Sequence, residues 1–274
     1  MNCYETQECL AGRQVIAAAL ASAVADPRSP HASGGREFDG AVIHDAWTVV
    51  RSTTAHLDKR DLSLGERLPA HIEVAPLVEW LATDAGTREQ VHQRVFGLVI
   101  STLCPSYETE YCPWKDATHR AQEMADIAGF YCAFGLTPNR AAPERVDCIA
   151  LEIEFTAIVL ERWRAALGSN EHAGVCEDAL RAFGTDHLCW WAPTFGRLLE
   201  KRATDLAGKD APEKEAGLFR LAGVARLLCG WLAAERTALG IDPRRRLTAP
   251  SVTPQEEENG CGSCTGCATG RAGS

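Results

Sequence analysis

Apolar residues recur along this chain at three- and four-residue spacings, the period of a helix with one buried face. Tyr4 to Ala25 is predicted as a first helix, stopped by Asp26-Pro27, and a loop rich in Ser, Pro and Gly follows from Ser29 to Gly35. Phe38, Val42, Ala46 and Val49 mark the expected buried face of a second helix. His71–Thr83 and Thr87–Ser101 form two more, separated by Asp84-Ala85-Gly86. Thr118–Leu136 carries Met124, Ile127, Tyr131 and Phe134 on one face, with Gly135 placed to relieve the helix end and Pro138 after it. Cys148–Leu167 is apolar on more than one side, which predicts a central helix, and Asp147 stands where it can cap that helix. Glu171–Phe183, then Thr194–Leu206 after Trp190, Trp191 and Pro193, precede a last long helix, Pro212–Leu239, that presents Leu218, Leu221, Val224, Leu228 and Trp231. No repeat and no alternating strand pattern emerges. The expected fold is all-α: a single helical domain over residues 1–246, and a flexible Cys/Gly-rich tail over 247–274.

Composition narrows the function classes. The 274 residues are 46% hydrophobic, enough for a substantial core, and the net charge is −9. An acidic surface repels phosphate backbones, so nucleic acid is not an expected partner, whereas a basic peptide is. Cys132, Cys148, Cys176, Cys189 and Cys229 sit singly in helical, apolar settings, where a free thiol packs as a small hydrophobe. That usage implies a reducing cytoplasm. Val15–Ala25 has the apolar, small-residue look of an export leader, but Glu5 and Glu8 precede it where such a leader needs positive charge, so it is predicted as a domain helix. No apolar run is expected to reach membrane-spanning length.

Tyr107 to Phe155 concentrates the candidate chemistry. Its first loop mixes Tyr107, Glu108, Glu110, Tyr111 and Trp114, rings and carboxylates suited to an apolar, arginine-bearing peptide. Its second loop sets Glu144, Arg145, Asp147 and Cys148 at a helix start, where backbone N–H groups can hold a carbonyl or carboxylate. At the other end of the chain, Cys261, Cys264 and Cys267 have the spacing of thiolates that converge on one metal, one ligand short of a closed zinc site or a cubane cluster. His44-Asp45 offers an enzyme alternative, a helical metal phosphohydrolase. That chemistry needs a further upstream histidine, and His31 in its glycine-rich loop is a poor one.

Tyr107-Glu108, Ala125-Asp126-Ile127-Ala128-Gly129-Phe130-Tyr131 and Phe134-Gly135-Leu136 resemble the TorD/DmsD/NarJ family in this order. So do Glu144-Arg145-Val146-Asp147, Leu151-Glu152-Ile153-Glu154-Phe155, Asp186-His187-Leu188, Trp191, Pro193 and Phe195, and the resemblance runs roughly from Thr87 to Leu239. It implies a TorD-like helical bundle and a cytoplasmic chaperone without turnover of its own. The implied partner is the apo catalytic subunit of a molybdenum oxidoreductase, held at its twin-arginine signal peptide until the cofactor is inserted. No resident cofactor and no membrane insertion are implied, and either a monomer or a domain-swapped dimer fits. The client-binding residues it points to are Tyr107, Glu108, Trp114, Asp126, Glu144, Arg145, Asp147, Cys148 and His187. Val146 stands where the family usually has proline, and Cys148 where it has histidine, so the imidazole of that loop is lost. The competing expectation is a redox protein that binds zinc or an iron–sulfur cluster through Cys261, Cys264 and Cys267.

Overall fold

The computed structural model describes residues 6–29, 37–97, 101–113, 116–137, 139, 143–167, 170–208 and 215–242. Their regular structure is helical: α1 Gln7–Val24, α2 Gly40–Thr53, α3 Ala75–Leu81, α4 Ala85–Phe96, α5 Ala117–Ala133, α6 Ile149–Ala165, α7 Asn170–Phe183, α8 Cys189–Ala207 and α9 Ala216–Ala238. The fold is all-α, as expected. The tail from 247 onward, with Cys261, Cys264 and Cys267, lies outside the described residues, as do Trp114, Pro138 and His31.

Short polar side chains start the helices. Thr6, Asp39, Asp84 and Asp116 each accept a hydrogen bond from a backbone N–H of the first turn of α1, α2, α4 and α5. Such caps satisfy donors that have no partner inside the helix. Asp84-Ala85-Gly86 is therefore the beginning of α4 and not a separator. The α8 region also differs from expectation. Helix begins at Cys189 and includes Pro193, because a π-helical turn, Gly184–Leu188, carries the chain from α7 into α8 without a break.

Packing explains which faces are buried. α1 lies against α6 and α2, α9 lies against α8 and α3, and contacts between α1 and α9 join the two groups. Leu10, Ile16 and Leu20 of α1 are fully buried, which makes the alanine-rich first helix a core element. In α2 the buried side is Ile43, Ala46, Trp47 and Val50, while Val42 is 48% exposed, so the face expected from Phe38 and Val42 is rotated. Trp47 fixes that rotation by donating its indole N–H to the Ile72 carbonyl at 3.0 Å. α9 is 23 residues long and contains an 18-residue stretch of mean hydropathy 1.4, enough by length and composition to cross a membrane, contrary to the sequence expectation. Here it is the core helix, with Leu218, Leu221, Val224, Leu228 and Trp231 inside. Gly65 adopts φ +88°, and a Cβ there would meet the Pro193 carbonyl at 2.8 Å, so the 60s loop can lie directly on α8.

α5 is the outlying helix. Of its residues only Ile127 is fully buried, and Tyr131 and Phe130 are partly covered. Ile127, Tyr131 and Phe134 of the sequence face do point inward, but onto a shallow seat. Phe155 of α6 forms that seat, with ring centroids 5.1 Å from Tyr131, 5.5 Å from Phe134 and 4.7 Å from Phe183. Gly135 ends α5 at φ +65°, and its N–H reaches the Cys132 carbonyl.

Candidate functional site

The loops on either side of α5 meet in an isolated antiparallel bridge between Tyr107 and Cys148. Glu108 N–H donates to the Asp147 carbonyl, and Ile149 N–H donates to the Ser106 carbonyl, each at 2.9 Å. The second bond supplies the first N–H of α6 with an acceptor from the neighbouring loop. Asp147 therefore does not cap α6, as the sequence suggested. Cys148 occupies the cap position and makes no side-chain cap bond. Asp147 turns the other way and is fully buried. Its Oδ2 accepts from Thr109 N–H at 3.2 Å, from the Thr109 hydroxyl at 2.9 Å and from Arg145 at 2.7 Å, while its Oδ1 accepts from Arg145 Nε at 3.0 Å. A two-pronged guanidinium plus two local donors makes burial of this carboxylate tolerable.

Arg145 carries the pairing outward. Its guanidinium lies 4.2 Å from the centroid of the Tyr107 ring and 3.7 Å from Glu110, which also pairs with Arg120 at 3.3 Å. The Tyr107 hydroxyl donates to Glu144 at 3.2 Å. Burial, followed by the Glu144 charge, pushes the Tyr107 phenol up from its ordinary range. Burial likewise pushes the Cys148 thiol up, so it stays a protonated apolar group.

Glu108 is completely buried as well. Trp190 donates its indole N–H to one oxygen at 2.7 Å, and His187 Nδ1 lies 3.1 Å from the other. His187 Nε2 lies 3.2 Å from Asp126 Oδ2, and Asp126 is 66% exposed. A carboxylate–imidazole–carboxylate line thus runs from the core to the surface of α5. Burial pulls the His187 pKa down, but the hydrogen bond and charge of Glu108, aided by Asp126 and Glu123, outweigh it and hold the imidazole above its ordinary value. Burial pushes the Glu108 carboxyl up, against the pull of His187 and Trp190.

The structure therefore joins Tyr107, Glu108, Asp126, Glu144, Arg145, Asp147, Cys148 and His187 into one network around α5. It also corrects the expectation that the Glu108 and Asp147 side chains face a bound peptide. Both side chains face inward, because each has buried hydrogen-bond partners. Tyr107, Asp126, Glu144 and Arg145 retain exposure. His44 and Asp45 lie on the exposed side of α2, and His44 Nδ1 bonds back to the Gly40 carbonyl at 2.8 Å.

Sequence reasoning missed an apolar cavity of ≈ 270 Å³ between α5, α6 and the following loop. Tyr131, Leu136, Val146, Leu151, Phe155 and Ile158 line it, with Glu144 and Glu154 beside them. The clue in the sequence was the excess of apolar positions round α6, which serve both the core and this opening. A second, polar groove of ≈ 600 Å³ lies along α5 and the π-turn and is lined by His119, Gln122, Glu123, Asp126, Asp186 and His187.

No curated protein and no solved structure matches the chain. A family model described as nitrate reductase delta subunit matches residues 66–197. That span begins earlier and ends earlier than the resemblance read from the sequence, and it contains both loops, α5 and the π-turn. Residues 66–197, a little under half of the chain, are therefore similar to the nitrate reductase delta subunit family, which is of the NarJ/TorD chaperone type.

Proposed function

We propose that this protein binds the apo catalytic subunit of a molybdenum oxidoreductase in the cytoplasm, through its twin-arginine signal peptide, and releases it after cofactor insertion. In this reading it turns over no substrate. The observation that carries the proposal is the cavity beside α5. At ≈ 270 Å³ it falls just under the range of about 300–1,000 Å³ usual for small-molecule and cofactor sites, and it is lined mainly by apolar side chains. A few apolar side chains of an extended or helical peptide suit that space. Glu144 and Glu154 at its edge then face the basic end of such a peptide, consistent with the net charge of −9. Binding needs no cofactor. Zinc or an iron–sulfur cluster at Cys261, Cys264 and Cys267 remains a separate proposal about the tail.

Calorimetric titration with a synthetic twin-arginine peptide carrying a leucine-rich segment tests this reading. Ile158→Asp places a charge in the cavity and should weaken binding about tenfold or more, which corresponds to roughly 1.4 kcal/mol. Glu144→Lys should weaken it at low salt and less at high salt. Wild-type affinity in both variants, with the fold intact by circular dichroism, would overturn the assignment of the cavity. Normal maturation of every molybdoenzyme in a deletion strain would overturn the chaperone role itself.

A further inference from the structure

We infer that Cys112, His119 and Glu123 form a binding site for a divalent transition metal of the zinc class. Each offers one ligand atom, a sulfur, a ring nitrogen and a carboxylate oxygen, and the three atoms lie within 4.8 Å of one another. His119 and Glu123 are one helical turn apart on α5, so their side chains share a face. His119 Nε2 stands 3.5 Å from Glu123 Oε1, close to the edge of a tetrahedron whose centre lies about 2.0–2.2 Å from nitrogen and oxygen ligands.

The scaffold holds these groups rigidly. Asp116 caps the start of α5 by accepting the His119 backbone N–H at 2.9 Å, which fixes the turn that carries His119. Cys112 follows Tyr111, whose hydroxyl is anchored on the Pro105 carbonyl at 2.7 Å. The thiol is 3% exposed at the inner end of the site, whereas His119 is 32% and Glu123 12% exposed in their side chains. The polar groove lined by both gives an ion a way in. A thiolate with an imidazole and one carboxylate favours zinc-like ions over magnesium or calcium, which take oxygen ligands.

A second grouping, Glu108, Glu123 and His187, shares Glu123. It is the weaker candidate, because Glu108 and His187 are fully buried and already engage each other and Trp190. It serves better as the outer layer behind Glu123, where such groups orient a ligand. Three protein ligands leave a fourth position, open to the groove and available to water or to a donor from a bound protein. A metal here would tie the 101–113 loop to the first turns of α5, independently of the tail cysteines and of any client.

Cobalt(II) is the probe, added to the full chain and to a background in which Cys261, Cys264 and Cys267 are all serine. The serine background should take up one equivalent and show thiolate-to-cobalt charge-transfer absorption, and the full chain should take up at least one. Cys112→Ser in the serine background should abolish that absorption. His119→Ala and Glu123→Gln, at partly exposed positions that leave the fold intact, should weaken uptake by at least the roughly 10–100-fold seen for loss of outer-layer partners. Absorption that persists in Cys112→Ser, or that disappears with the tail cysteines alone, would overturn the site.

Discussion

His187 Nδ1 lies 3.1 Å from Glu108 Oε2 at a point where neither side chain is more than 1% exposed. The π-helical turn that carries His187 brings the ring to Glu108, so one imidazole joins α7–α8 to the 101–113 segment. Removing the ring would leave a buried carboxylate with the Trp190 N–H as its one side-chain donor among the described residues. His187→Ala should therefore cost about 3–5 kcal/mol, the usual loss for breaking a buried pair. Urea titrations would measure it.

The same pair fixes a pH dependence. The folded His187 pKa is raised above the ordinary 6.5. Its contribution is fully present below pH 6.5 and is lost as pH rises through the folded value. Denaturation midpoints should fall on the alkaline side of 6.5 in the wild type. His187→Gln should show a shallower fall there. Equal slopes would mean that the ring is neutral in the fold.

Asp147 separates stability from binding. Its carboxylate holds Thr109 and Arg145 inside the protein, so Asp147→Ala should lose about 2–3 kcal/mol, less than a fully buried pair because Arg145 can rehydrate. Reversing charge at Glu108 or Asp147 should likewise lower the melting temperature. Asp126→Lys, at an exposed position, should change peptide affinity with little change in melting, and Glu144→Lys, at a partly buried one, should lower melting less than Asp147→Ala does. Calorimetry on the same variants reads both quantities.

Much of this was legible in the residues. Helical periodicity marked the helices, and the long apolar stripe of α9 marked its buried face, because burial on a helix leaves a 3.6-residue signature. The two loops were legible as one site because they flank one helix. What the pattern could not show was direction. Glu108 and Asp147 read as surface acids, since a lone carboxylate is rarely buried. Only the fold reveals that Trp190 and His187, some 80 residues away, supply donors to Glu108. The start of α8 was hidden for a related reason: Pro193 reads as a breaker, and a π-turn has no periodic signature of its own.

Phe155 divides the aromatic cluster into core and rim. It is 1% exposed and touches Phe130, Tyr131, Phe134 and Phe183, while the three rings from the α5 side are partly open. Phe155→Ala should cost about 3–5 kcal/mol. Phe134→Ala should cost clearly less, about 1–2 kcal/mol, because the ring surrenders less buried surface. Comparable losses in the two variants would show that α5 packs more tightly than its exposure indicates.

Glu152 gives the sharpest test of electrostatics in the core. It is fully buried in α6 and accepts the Trp191 indole N–H at 3.1 Å, and its other oxygen meets no hydrogen-bond partner among the described residues. Burial, reinforced by the charges of Glu108 and Asp147 and only partly opposed by Trp191, raises its pKa well above 4.5. Above pH 4.5 the folded protein therefore binds more protons here than the unfolded chain does. Stability must fall as pH rises from 4.5 through the folded pKa. Glu152→Gln cannot ionise, yet it keeps a carbonyl for Trp191. At and below pH 4.5 the variant should match the wild type within about 1 kcal/mol. At pH 8 it should be the more stable of the two, and its stability should decline less between those limits. Denaturant titrations across that range decide the matter: a glutamine variant that is less stable at pH 8 would mean that Glu152 is ionised in the fold and held by charge.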